Sequence, residues 1–283
     1  MNTPPPKKKK KATRSRSGTI SDRSAIESLV GPLVALEHSG PLEQAQDIMW
    51  DAFDAPDRRQ RVALAKKALK LSPLCADAYV VLAQETAENV TEALEFYRNG
   101  VEAGEKALGK AAFRDNVGHF WGILETRPYM RARRGLAQSL WEGAAREEAV
   151  AHFQDLLRLN PGDNQGIRYI LLDCLLTMGR DDEAGKLLRR YKNDGAAAWQ
   201  WSQALATFRR EGDSPQSRKA LALAVRSNGH VSSYLLENRK LPRGLPDLIS
   251  TGGEDEAIAY VANATPAWRA APGALAWVKD VLS

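Results

Sequence analysis

Five long polar side chains recur at a fixed interval. Arg131 and Arg134, with Gln138 one helical turn on, are matched by Gln165 and Arg168 about 34 residues later in a repeating pattern. Side chains three, four and seven apart share one face of a helix. The set therefore predicts three guanidiniums and two amides along one groove. Guanidiniums hold carboxylates and phosphates through paired N–H donors. The chemistry is capture, of an acidic peptide segment or a C-terminal carboxylate. Glu125, Asp163 and Asp173 offer the same arginines a competing role as a structural ion-pair network, and both readings stand.

Signs of catalysis are weaker. His119, Glu125 and Arg127 gather at a helix-breaking junction, Glu125-Thr126-Arg127-Pro128-Tyr129, and an acid–base role is conceivable there. The simpler account is a junction held by buried hydrogen bonds. The four histidines, His38, His119, His152 and His230, share no helical spacing suited to a metal. The HExxH, GxSxG and phosphate-loop patterns are absent from the sequence. The acids Glu254, Asp255 and Glu256 after Gly252-Gly253 suit a helix start and would repel phosphate. Trp199, Trp201, Phe208, Trp268 and Trp277 are able to stack bases, yet their helical spacing reads as core. We expect no enzyme, no metal and no cofactor.

A second binding chemistry lies at the N-terminus. Lys7, Lys8, Lys9, Lys10, Lys11, Arg14 and Arg16, with Arg23, give residues 1–24 a net charge of +7, so the rest of the chain carries about −2. Residues 1–22 hold too little apolar surface to offset ordering entropy and read as a disordered tail. Such a tail binds nucleic acid or an anionic surface in a salt-sensitive way, which makes a nucleic-acid-associated protein the alternative reading. The opening residues lack a secretory apolar stretch, and no run long enough for a membrane span follows. Cys75 and Cys174 form no metal or disulfide pattern. Together these features predict a cytoplasmic location.

The elements that must carry these residues are helices. Ser24–Glu37, Leu42–Ala52 and Arg58–Leu71 read as the first three. Asp77–Glu88 pairs with a helix from Thr91. An excursion over 104–128 predicts an extended helix and one or two extra turns. Tyr129–Trp141 pairs with Glu147–Asn160, Asn164–Met178 with Asp182–Tyr191, and Ala196–Glu211 with Ser214–Ser227. Ala149, Ala184 and Ala220 open the second helices, with Phe153, Leu188 and Ala224 four places on. Small residues let paired helices approach closely. Residues 238–253 read as a loop. Glu254–Asn263 and Trp268–Val281 read as short helices covering the open end of the stack.

The pattern over 129–227 resembles the tetratricopeptide repeat superfamily. WGILETRPYMRARRGLAQSLW (121–141), LLRLNPGDNQGIRY (156–169) and the stretch from Tyr234 through LPRGLPDLISTGGEDEAIAYV resemble a bacterial family of tetratricopeptide-like proteins without assigned activity. Residues 75–195, through LAQETAENVTEALEFYRNGVEAGE and LLDCLLTMGRDDEAGKLLRRY, are similar to the suppressor-of-tumorigenicity-seven family. The resemblance covers roughly residues 60–282 and implies fold without catalytic residues. Some of the bacterial relatives add a zinc-binding module of clustered Cys and His, which this sequence lacks. The resulting expectation is an all-α, right-handed superhelical solenoid of tetratricopeptide-like helix pairs. It comprises a tail (1–22), a repeat domain (23–229) and a C-terminal capping segment (230–283). Its function is non-enzymatic protein–protein interaction as a scaffold. Reversing Arg131 and Arg168 to Glu should abolish capture of an acidic partner while leaving helicity intact.

Overall fold

A computed structural model describes residues 40–246 and 248–283. The expectations for the basic tail and for a helix over 24–37 fall on residues outside that range. Among the described residues the fold is all-α, with thirteen α-helices and two 3-10 turns. Five helix–turn–helix pairs follow one another: α1 (Pro41–Asp54) with α2 (Arg58–Leu71), α3 (Ala76–Thr86) with α4 (Val90–Asp115), and α5 (Arg127–Glu142) with α6 (Arg146–Leu159). Then come α7 (Ile167–Thr177) with α8 (Asp181–Arg190) and α9 (Ala197–Glu211) with α10 (Pro215–Ser227). Each second helix packs on the first helix of the next pair, and α3 lies on α5 as α7 lies on α9. This is a tetratricopeptide-like solenoid.

Local chemistry explains the boundaries. Asp57 and Asn89 cap α2 and α4 by accepting from the backbone N–H of Gln60 and Glu92. Such a cap satisfies a donor the helix leaves orphaned. Ser214 and Ser217 cap α10 reciprocally, ahead of Pro215 in the first turn. The packing of α5 on α4 depends on missing side chains. A Cβ at Gly135 would lie 2.0 Å from the Tyr97 ring, and one at Gly104 would lie 2.9 Å from the Cβ of Tyr129.

Within α4 the chain kinks at Gly109, where φ is +68°, a conformation open mainly to glycine. It then runs through 3-10 turns at Phe120–Gly122 and Leu124–Thr126. The buried Thr126 hydroxyl donates to the carbonyls of Phe120 and Ile123. Tyr129 packs edge to face against Phe113 and Phe120, which are tilted against each other, beneath this junction.

The C-terminal region departs from the sequence expectation in two ways. A short helix, α11 (His230–Leu235), follows α10, and α12 (Glu254–Arg269) runs unbroken through Pro266 before α13 (Ala274–Leu282). Proline removes one ladder hydrogen bond and normally ends or kinks a helix. Burial of Ala264, Ala267 and Trp268 on either side of it, with a hydrogen bond from the Trp268 indole to the Tyr260 hydroxyl at 2.9 Å, carries the helix past that point. Second, α12 does not extend the stack beyond α10. It turns back and packs on α7, α9 and α11, so it lies across the first helices of the last two pairs. Glu256 pins it there, accepting from the Ala197 N–H at 2.9 Å, the Gly252 N–H at 2.8 Å and the Asn228 side chain at 3.1 Å. Trp199, Trp201, Trp268 and Trp277 are buried in this region, and Phe208 stacks on Trp277 with ring centroids 4.5 Å apart. The aromatic series is core.

Candidate functional site

The arginines of the central pairs fall into two groups. Arg131 forms a two-pronged ion pair with Asp77, at 2.7 and 2.5 Å, and its guanidinium sits over the Phe53 ring. Asp77 is fully buried and also accepts from Gln46 at 2.8 Å. Arg168 bridges Asp163 at 2.9 Å and Asp194 at 2.7 Å and donates to the Tyr169 hydroxyl at 2.7 Å. Arg133, between them in sequence, pairs with Asp155 and donates to Tyr129. These guanidiniums are spent on the fold. Charge reversal at Arg131 and Arg168 would therefore press new carboxylates against Asp77, Asp163 and Asp194. Loss of structure is the expected result, contrary to the sequence-based expectation of intact helicity.

Arg134 is different. It is half-buried, and its Nε is enclosed without a hydrogen-bond partner. Burial, the largest influence on it, pulls its affinity for a proton down, and Asp163 and Tyr97 offset this only in part. Gln138, one turn on, is exposed. Both line a cavity of about 700 Å³ between α5, α7 and α12. Gln165 lies outside that lining: its Nε2 donates to the Met130 carbonyl at 3.4 Å and its Oε1 is buried without a partner. So of the five predicted residues, the structure brings Arg134 and Gln138 to one cavity and commits Arg131, Arg168 and Gln165 elsewhere.

Three helices present regular faces to the cavity. From α5 come Arg134, Gln138, Trp141 and Glu142, and from α7 come Tyr169, Ile170, Asp173, Cys174 and Thr177. From α12 come Glu256, Ala259, Tyr260 and Asn263. These spacings of three, four and seven define one face of each helix. Arg146, at the start of α6, stacks over the Trp141 ring at 5.2 Å and also lines the cavity. Arg146 is not among the residues that spacing predicts. Its signal was local, a cation placed five residues after a tryptophan across the turn from Glu142 to Arg146. Asp173, which the sequence offers as a partner for the groove arginines, instead faces the cavity. Burial alone pushes its carboxyl up to about 7.

The His119, Glu125 and Arg127 junction offers no comparable enclosure. His119 and Glu125 are exposed, and Arg127 donates to the Trp121 carbonyl at 2.9 Å while lying over that residue's ring. Among the described residues no group of His, Cys, Asp and Glu is arranged to hold a metal ion, and no helix is long and apolar enough to cross a membrane.

The profile of the ST7 protein family matches residues 35–282. The chain belongs to that family. The match reaches well beyond the 75–195 stretch whose motifs carried the resemblance. The ST7 homolog of Drosophila melanogaster is 26% identical over 256 residues, covering 82% of this chain and 48% of that protein. The suppressor of tumorigenicity 7-like protein of Gallus gallus is 27% identical, covering 83% and 46%. The Caenorhabditis elegans homolog is 28% identical, covering 81% and 49%. The chain thus spans about half the length of the curated relatives it matches. Among solved structures, YrrB, described as a TPR protein with an unusual peptide-binding site, aligns with a TM-score of 0.45 at 17% identity, over 73% of this chain and 91% of that one.

Proposed function

We propose that this member of the ST7 family is a non-enzymatic interaction scaffold that seats a partner segment in the cavity between α5, α7 and α12. An acidic group of that segment is held by Arg134, Gln138 and Arg146. The observation that carries this reading is the contrast among arginines. Arg131, Arg133 and Arg168 are each matched to a buried or half-buried carboxylate. Arg134, on the same helix as two of them, reaches the cavity wall with an unpaired donor. The Nε itself is sealed in, so an incoming carboxylate meets the outer guanidinium nitrogens, for which no protein acceptor is in place, and a charge-assisted pair there is stronger than a neutral hydrogen bond. The partner is a polypeptide because the cavity opens along a helical-repeat surface, and such solenoids present extended concave faces.

The test is a random 12-residue peptide display screen on the full chain, followed by affinity measurements on the enriched peptides. Enriched peptides should carry Asp, Glu or a required free C-terminus, and Arg134→Gln should weaken them at least tenfold with an unchanged circular dichroism spectrum. Enrichment of peptides lacking any acidic group, or equal binding by Arg134→Gln, would overturn the proposal.

A further inference from the structure

The acids of the central and C-terminal pairs are nearly all spoken for. Asp155 pairs with Arg133 and Arg158. Asp163 accepts from the backbone of Ile167 and Arg168 and from the Arg168 guanidinium. Asp194 takes Arg168, the Tyr169 hydroxyl and the Ala196 N–H, and Glu256 takes three donors. Glu142 and Asp182 have no such partner but are exposed, so among the buried and half-buried acids Asp173 is the exception. It sits mid-helix on α7, half-buried, on the cavity face, and no hydrogen bond or ion pair reaches it. Its oxygens are not sealed in, because the enclosed, unpartnered side-chain atoms are those of Arg134 and Gln165 alone among the described residues. The carboxylate is thus open to whatever enters.

Around it the cavity is aromatic. Trp141 from α5, Phe153 from α6, Tyr169 from α7 and Tyr260 from α12 all contribute to the lining. Aromatic faces attract cations through the ring quadrupole, more strongly when water is excluded. Arg146 already uses one such face, that of Trp141, and Arg168 covers one face of Tyr169 at 4.3 Å. The Tyr260 hydroxyl accepts from Trp268 at 2.9 Å and Ser202 at 3.3 Å, so that ring is held in place. A lone carboxylate inside an aromatic enclosure is suited to an organic cation, which supplies both its missing donors and its missing charge.

We infer that Asp173, with the Tyr169 and Tyr260 rings, forms a subsite for an ammonium or guanidinium group, the side chain of a Lys or Arg in the bound segment. The inference deepens the function proposed above, because both groups lie in one cavity. It makes the ligand a segment with both an acidic and a basic group, read by Arg134 of α5 and Asp173 of α7.

The experiment separates the two subsites with small probes. n-Butylguanidinium, n-butylammonium, butyrate and butyramide are titrated into the full ¹⁵N-labelled chain, following the indole N–H of Trp141. The cations should give saturable shifts in wild type and in Arg134→Gln, weakened at least tenfold in Asp173→Asn. Butyrate should show the reverse pattern, lost in Arg134→Gln and kept in Asp173→Asn. Failure of butyrate alone would remove the acidic-group reading and leave the cation subsite standing. Equal cation binding by wild type and Asp173→Asn, or no saturation by either cation, would overturn the subsite. A measurement on wild type alone guards against misfolding of the variant. The ¹³C carboxyl signal of Asp173 should titrate at lower pH with n-butylguanidinium present, and an unchanged midpoint would sink the inference.

Discussion

Asp173 makes a claim about stability as well as binding. In the folded chain its carboxyl keeps a proton up to about 7, whereas in an unfolded chain it releases one near 4. Between those values the folded state binds the extra proton, so this residue's contribution falls as pH rises across the window. The charged and titratable groups sharing its cavity are Arg134 and Glu142 from α5, Arg146 from α6, Glu256 and Tyr260 from α12, and Tyr169 and Cys174 on α7 itself. None of them forms an ion pair with it. Asp173→Asn should therefore raise the melting temperature at pH 8, where the ionised carboxylate costs on the order of a few kcal/mol. The gain should vanish near pH 4, as read by thermal denaturation across that range. The residue types of the site were legible in the sequence, but their partners were not. Arg131 meets Asp77 from 54 positions away and Arg168 meets Asp194 from 26. Local spacing says which face a guanidinium occupies and nothing about which distant acid reaches it first.

Helices were the most legible objects, since an apolar period and a following turn are local properties. The expected start at Ser214 coincides with the cap of α10, and the alanines at 149 and 184 marked tight crossings that the structure buries completely. The break expected between Asn263 and Trp268 is missing because the helix's passage through Pro266 is decided by packing on both sides of it, which no local signal contains. Gly135 was passed over for a related reason. Inside a helix it reads as a mild weakness, yet its lack of a side chain is what admits the Tyr97 ring. Gly135→Ala should lower stability by about 1–3 kcal/mol by overpacking that contact, despite the better helix propensity of alanine. Denaturant titration decides it: a stabilised variant would show that α4 and α5 have room to separate.

On the scale of the whole molecule the burial is uneven. One apolar cluster runs from α3 through α13 and holds the large aromatic side chains, while a smaller one joins α1, α2 and α3 and is built mostly of alanines. Stability in repeat arrays is close to a sum of unit and neighbour terms, so the smaller cluster should open first. Hydrogen exchange should show α1 and α2 losing protection ahead of α5, α7 and α9, with Arg131–Asp77 marking the boundary between them. Uniform protection would indicate a single cooperative unit. The sequence implied a stack of pairs and missed its inward turn, because nothing in an amphipathic helix states which neighbour it will choose. That turn has a consequence in time. A ribosome extends a chain at about 5–20 residues per second, so Arg134 emerges roughly ten seconds before Tyr260 closes the opposite wall. A nascent chain stopped before α12 would offer its partner an open trough with Asp173 still bathed in water. The pocket is therefore finished only once α12 has been made, and release of a chain lacking α12 would yield a scaffold that folds in part and binds poorly.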